Sequence, residues 1–103
     1  MAFRRVCSAD ELWNGELRAV TVDARSVLLV KLEEVVYAYE DRCAHKGVPL
    51  SHGCLRGPAL TCSAHEWVYD VTTGAGINPA GVRLRAFPLK LEDGAIWINV
   101  DES

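Results

Sequence analysis

Cys43-Ala44-His45 and Cys62-Ser63-Ala64-His65 are separated by sixteen residues, within a stretch from Asp41 to Pro79 that holds three of the four cysteines and all three histidines. Each half supplies one thiol and one imidazole. Two such pairs converge on one centre only from tight loops, and Gly47, Pro49, Gly53, Gly57 and Pro58 around them favour tight turns. The stretch is accordingly expected to be irregular backbone, stapled by something other than a large core. A metal site is the leading reading of the four side chains.

Two centres fit a set of two cysteines and two histidines: tetrahedral zinc, or a two-iron, two-sulfide cluster with both imidazoles on one iron. Zinc fingers pair like with like, two cysteines on one knuckle and two histidines on a helix. Here each loop mixes the types and no helix follows, which favours the cluster.

Outside the loaded stretch the pattern is that of strands. Arg25 to Leu32 and Val35 to Glu40 are rich in β-branched and aromatic residues, and the polar pair Glu33-Glu34 between them reads as a hairpin turn, with Leu17 to Val22 pairing alongside. Downstream, Val82 to Leu84, Phe87 to Leu91 and Ala95 to Val100 nearly alternate, and Asp93-Gly94 is a tight-turn signal. Ser8 with Glu11 three residues later suggests one short helical turn over Ala9 to Leu12. Strands from both ends of the chain flanking a chemically loaded insert predict an all-β sandwich or barrel, from which a small ligand-bearing subdomain over residues 41–79 projects.

Length and charge bound the possibilities further. With 103 residues, half of them apolar and 24% charged, the chain is expected to form one domain over residues 1–103. A net charge of -3 without a basic run argues against nucleic acid. Apolar runs such as Val27 to Val30 and Val35 to Ala38 fall far short of the ~20 residues of a membrane span, and nothing behind Arg4-Arg5 resembles a secretory signal, so a cytoplasmic protein is expected.

The two ligand motifs, followed by Trp67-Val68-Tyr69-Asp70 and Thr73-Gly74, resemble a Rieske [2Fe-2S] ferredoxin. Cys7-Ser8-Ala9-Asp10-Glu11-Leu12-Trp13-Asn14-Gly15-Glu16 and Gly74-Ala75-Gly76-Ile77-Asn78-Pro79 are similar to the ferredoxin component of bacterial multicomponent diiron monooxygenases, such as those acting on toluene and alkenes. Ferredoxins of ring-hydroxylating dioxygenases are close competitors, as is the small Rieske subunit of another oxidoreductase; a structural zinc-binding module is the remaining alternative.

The resemblance covers nearly the whole chain. It implies two stacked antiparallel sheets and one [2Fe-2S] cluster at the tip of the subdomain, with Cys43 and Cys62 on the inner iron and His45 and His65 on the outer one. It further implies an electron carrier, not an enzyme, that is monomeric in isolation. Single electrons would pass from an NADH-dependent flavin reductase to a diiron hydroxylase in hydrocarbon catabolism. The partner surface is expected around the histidine edges, at Lys46, Pro49, Glu66 and Trp67.

Charge counting explains the ligand set. Two ferric ions, two sulfides, two thiolates and two neutral imidazoles sum to zero, whereas four thiolates would leave -2, so an added electron is accepted more readily. High-potential members of the family carry an extra cysteine in each loop and a serine and a tyrosine that donate hydrogen bonds to the cluster. The corresponding places are read here as Val48, Ala64 and Trp67, which predicts a potential in the lower part of the Rieske range of ~-150 to +300 mV.

The remaining candidates carry weaker signals. Cys7 and Cys54 read as fillers without a disulfide, and His52 as a solvated surface residue. Trp67 either fixes the second loop or meets a partner, and Pro88 either covers the cluster or ends a strand. Trp13 and Trp97 are expected in the core, and Glu33, Glu34, Glu66 and Asp70 on a solvated surface that could steer a basic partner. No nucleophile elbow accompanies Cys62 and His65, so catalysis by the chain itself is not expected.

Overall fold

The computed structural model describes residues 3–43, 48–63, 67–78 and 80–100. Among these residues, ten strands fall into three antiparallel sheets: β1 (Arg4–Ser8), β10 (Ala95–Ile98) and β9 (Leu89–Glu92); β2 (Leu17–Val22), β3 (Arg25–Leu32) and β4 (Val35–Glu40); and β5 (Cys54–Arg56), β6 (Ala59–Thr61), β7 (Val68–Asp70) and β8 (Gly76–Asn78). The chain is all-β, as expected; the only helical pieces among the described residues are short 3₁₀ turns at Ala9–Glu11 and Leu50–His52.

Strand β3 joins the three sheets through two cores, one on each of its faces. Val27, Leu28, Leu29 and Val30 are all fully buried, which a strand achieves only when both of its faces are covered. Val27 and Leu29 enter one core with Leu12, Phe87, Ile96 and Ile98; Leu28 and Val30, on the opposite face, enter a second with Tyr39, Leu50, Leu60 and Tyr69. The sheet β2-β3-β4 is thus the wall between the base and the loaded subdomain. Burying each of these side chains contributes about 1.5–3 kcal/mol, so the subdomain is held by the same strand that organises the base.

Three hairpins register this wall and its neighbour. Asp23-Ala24 (φ 48° and 66°), Glu33-Glu34 (49° and 69°) and Asp93-Gly94 (53° and 71°) each place two left-handed residues between paired strands, the type I′ geometry whose twist matches that of the strands. Glutamates are poor residues for that region. The cost at Glu33-Glu34 is offset by Asn14, whose Oδ1 accepts the Glu34 N–H at 3.0 Å while its Nδ2 donates to the Glu34 carboxylate at 2.8 Å.

Two expectations need correction. The stretch from Asp41 to Pro79 is not merely irregular: it contains the four-stranded sheet β5-β6-β7-β8 and contributes Leu50, Leu60, Tyr69 and Val71 to a buried core. Val82 to Leu84 is not a strand. It runs extended through a clasp between base and subdomain: Val82 accepts the Gly76 N–H, Leu84 donates to Gly74, Arg85 accepts from Glu40, and Phe87 donates to Ala38. Backbone partners divided between two elements cannot build a ladder with either.

Candidate metal centre

The first loop leaves the end of β4. Asp41 is buried beside it, and its two carboxylate oxygens accept from the backbone N–H and the hydroxyl of Ser51, both at 2.8 Å. The Asp41 N–H itself donates to the carbonyl of Ser26 on β3 at 3.1 Å. This clamp closes the base of the loop and sets the 3₁₀ turn at Leu50–His52, whose Leu50 plugs the core beneath.

Within the clamp, the Cys43 N–H donates to the carbonyl of Val48 at 2.8 Å; in the second loop the Cys62 N–H donates to the carbonyl of Trp67 at 2.7 Å. Each loop is therefore pinched by its own cysteine, with a donor and acceptor five residues apart. His45 and His65 fall in sequence inside the two pinched segments. The expected residues His45, Lys46, His65 and Glu66, like Ala64 and Pro79, lie outside the described residues.

Cys43 and Cys62 are each 1% exposed and belong to the same buried core as Leu60 and Tyr69. The Tyr69 hydroxyl lies 3.4 Å from Cys43 Sγ. Two buried sulfurs at the mouths of paired loops, one within reach of a phenol, suit thiolate ligands of a cluster: a buried thiolate needs both a cation and hydrogen-bond donors. Of the four expected ligands, the two cysteines are among the described residues.

The register of the second loop depends on Gly53. A Cβ at this position would stand 2.3 Å from the carbonyl oxygen of Thr61, the residue before Cys62. β6 and β7 then carry the loop, with Thr61 opposite Val68 and Leu60 opposite Tyr69. On the outer side of β7, Asp70 turns the chain: its Oδ1 accepts from the N–H and hydroxyl of Thr72, and its carbonyl accepts from Gly74. Asp70 is therefore engaged in a turn rather than displayed, whereas Glu33 and Glu34 are exposed.

The other candidates separate clearly. Pro49 is exposed and Trp67 half-buried at the two loops. His52 is exposed, and Cys54 is exposed and Cys7 buried, with neither in a disulfide among the described residues. Burial, reinforced by Glu11, pushes the Cys7 thiol above its ordinary range and keeps it unreactive. Trp13 contradicts expectation, being 76% exposed, and Trp97 is half-buried beneath Lys90 rather than in the core. Pro88 serves the base, its carbonyl accepting from Asn99 next to core residue Phe87.

One phenol does reach a cysteine sulfur of the site, where the sequence suggested no tyrosine donor. The tyrosine is Tyr69, two residues beyond Trp67, with its hydroxyl beside Cys43 Sγ. Arg83 and Arg85, which the sequence did not single out as site residues, line with Arg42 and Glu40 a cleft of about 250 Å³ that reaches Cys43.

A sequence profile described as the Rieske [2Fe-2S] domain matches residues 2–88. The ferredoxin component of the alkene monooxygenase system of Xanthobacter autotrophicus is 45% identical over 97 residues, covering 93% of this chain and 80% of the relative. The ferredoxin component of the naphthalene 1,2-dioxygenase system of Pseudomonas putida is 28% identical over 87% of this chain and 88% of the relative. Among solved structures, the ferredoxin of carbazole 1,9a-dioxygenase from Nocardioides aromaticivorans superposes with a TM-score of 0.85 at 28% identity, covering 95% of this chain and 97% of that one. A chain from a complex of reduced oxygenase and oxidized ferredoxin in carbazole 1,9a-dioxygenase superposes with a TM-score of 0.88, at 28% identity over 98% and 95%.

Proposed function

Because this chain belongs to the Rieske [2Fe-2S] domain family and is an electron-transfer ferredoxin of an oxygenase system, we propose that Cys43 and Cys62 hold one iron of its single cluster and His45 and His65 the other. The observation that carries the assignment is the pair of buried cysteines, each pinching its own loop through its backbone N–H. When bound, the cluster supplies reversible one-electron chemistry near neutral overall charge. The chain contributes the rest. The Asp41–Ser51 clamp fixes the first loop, Gly53 lets the second approach, Leu50, Leu60 and Tyr69 exclude water from the cysteine side, and the Tyr69 hydroxyl, 3.4 Å from Cys43 Sγ, would donate to a thiolate there.

The carrier works between a reductase and an oxygenase. Our finer reading is an NADH-dependent flavin reductase as donor and a diiron hydroxylase of a hydrocarbon monooxygenase system as acceptor, in the cytoplasm, with the ferredoxin monomeric between encounters. It is supported by the 45% identity to the alkene monooxygenase ferredoxin. The second reading, a ring-hydroxylating dioxygenase ferredoxin, is supported by the 28% relatives and by the fold match to the carbazole system. Lys46, Pro49, Glu66 and Trp67 form the proposed contact surface, and such a shuttle is expected to use a small interface, below ~1,200 Å2.

Iron and acid-labile sulfide counts, with electron paramagnetic resonance of the dithionite-reduced protein, test the cluster and its mixed ligands: two irons, two sulfides and a rhombic signal are expected. A colourless, zinc-loaded protein would overturn the assignment. Turnover reconstituted with a diiron hydroxylase but not with a Rieske dioxygenase decides between the two readings.

A further inference from the structure

The cleft beside Cys43 has a charge opposite to that of the molecule. Arg42, Arg83 and Arg85 line it, all exposed, together with Glu40, whose carboxylate is paired with Arg25 at 3.2 Å. Three arginines thus line a cleft shared with one ligand of the proposed cluster, Arg83 Nη1 also donating to the Thr73 carbonyl at 3.4 Å, on a chain whose net charge is -3. The clasp holds them there. Arg83 pairs with Ala75 of the subdomain, and the Arg85 carbonyl accepts the N–H of Glu40 at 2.8 Å, so Arg83 and Arg85, two residues apart on an extended segment, project to one side beside Arg42.

At physiological salt the Debye length is about 8 Å, so a docking surface senses the charges nearest it rather than the net charge. The cleft therefore attracts carboxylates although the whole chain is acidic. The attraction also depends on oxidation state. With two thiolates and two neutral imidazoles the oxidised cluster would carry no net charge, and one added electron would make the whole cluster -1, opposing the field of the arginines. An acidic partner on this face binds the oxidised protein more tightly than the reduced one.

We propose that the Arg42–Arg83–Arg85 cleft is the docking face for an acidic surface of the electron-donating reductase, with release promoted by the electron just delivered. The inference rests on the ferredoxin reading above. The donor is the partner this polarity serves: it must bind the oxidised carrier and let go of the reduced one, whereas an acceptor needs the reverse. In the step itself the reductase loses one electron, the diferric pair becomes ferric–ferrous, and no covalent bond is made or broken.

The test uses the cluster-loaded protein, its Arg42→Glu/Arg83→Glu variant, and an Arg4→Glu/Arg56→Glu variant that makes the same change of net charge elsewhere on the surface. The dithionite-reduced proteins are first reoxidised anaerobically by two small cobalt(III) complexes, each taking one electron: the ethylenediaminetetraacetate monoanion and the hexaammine trication. Reversal in the cleft is expected to slow the anion about threefold and to shift the anion-to-cation rate ratio by about tenfold at low salt, with the control nearer the wild type.

Reduction by the reductase of the same oxygenase system is then followed by stopped flow, and its affinity is measured in both oxidation states. The cleft variant is expected to be reduced at least about tenfold more slowly at low salt, with the difference shrinking as salt rises. The oxidised wild type is expected to bind more tightly than the reduced. An unchanged probe ratio, an unchanged reduction rate, equal loss in the control, or a loss confined to electron delivery to the oxygenase would each overturn the proposal. Wild-type protein without iron and sulfide would instead bring down the ferredoxin reading, and this inference with it.

Discussion

The hydroxyl of Tyr69 stands 3.4 Å from Sγ of Cys43, with Tyr69 fully buried and the cysteine 1% exposed. On a cluster ligand the sulfur is a thiolate, so the phenol is the donor. A donor at a ligand sulfur stabilises the more negative, reduced state and raises the potential. Tyr69→Phe keeps the ring in its core site and removes only the hydroxyl. We expect the midpoint potential to fall by roughly 40 mV, corresponding to about 1 kcal/mol of lost differential hydrogen bonding, with iron and sulfide content intact. Protein-film voltammetry checks this, and an unchanged potential would show that the contact carries no redox tuning.

The first loop should depend on Asp41 more than on any residue of the loop tip. Asp41→Ala strands the N–H and hydroxyl of Ser51 and removes a buried carboxylate that holds both. We expect a loss of about 2–3 kcal/mol in denaturant unfolding of the apoprotein and faster cluster loss in the holoprotein. Ser51→Ala, which removes only the hydroxyl, should cost about 1 kcal/mol.

That clamp also shows why some of the site was legible in the sequence and some was not. Cys43-x-His45 and Cys62-x-x-His65 are local signals: the spacing of donors within each loop is the chemistry itself. Hairpins such as Asp93-Gly94 are equally local, because the turn geometry is a property of two residues. Asp41 and Ser51 are ten residues apart with no motif between them, and only the folded loop reveals them as partners. The strands β5 to β8 are three residues each, too short for alternation to register. Tyr69 lies within a quoted motif, yet which of its neighbours reaches the sulfur is a question of strand register, settled by Leu60 standing opposite Tyr69. The arginine cleft joins residues from 40 to 85 and has no sequence signature at all.

Gly53 offers a test of loop approach. A methyl group there would meet the Thr61 carbonyl oxygen at 2.3 Å, and that atom is backbone, which cannot swing aside. Gly53→Ala is expected to destabilise the fold by about 1–3 kcal/mol and to lower cluster occupancy, because Thr61 precedes Cys62. Gly57→Ala tests the opposite case, an open site: nothing lies within 4 Å of its Cβ, and the cost is only that of a positive φ of 55°. A thermal melt of both variants, with iron content from the same samples, separates collision from backbone strain. Equal losses would remove the collision argument.

Trp67 is half-buried, and its backbone carbonyl accepts the Cys62 N–H that closes the second loop. Trp67→Ala can therefore preserve the pinch while removing the exposed part of the ring. We expect cluster content close to wild type and electron delivery to the oxygenase slowed by about tenfold, the effect of losing an aromatic contact at the centre of a small interface. Coupled turnover at wild-type rates would assign the ring to packing alone.

Tyr39 ties the base to the subdomain and should make the protein sensitive to alkali. Its hydroxyl donates to the carbonyl of Val71, and its ring lies 3.1 Å from where a Cβ on Gly74 would be, so phenol and turn are packed together. Burial, the first cause, pushes its pKa up to about 12 from an ordinary 10. The folded protein therefore holds this proton through a range in which the unfolded chain releases it. Between those two values the folded state binds more protons, so stability falls as pH rises and levels off above the folded value. The loss over this window is on the order of 2 kcal/mol. Tyr39→Phe should be less stable than wild type at neutral pH, for want of the hydrogen bond, and should lose less stability than wild type between pH 10 and about 12. Urea unfolding at pH 8 and at the highest pH in this window at which unfolding stays reversible gives the two differences. Parallel behaviour of variant and wild type would locate the alkaline sensitivity in another group.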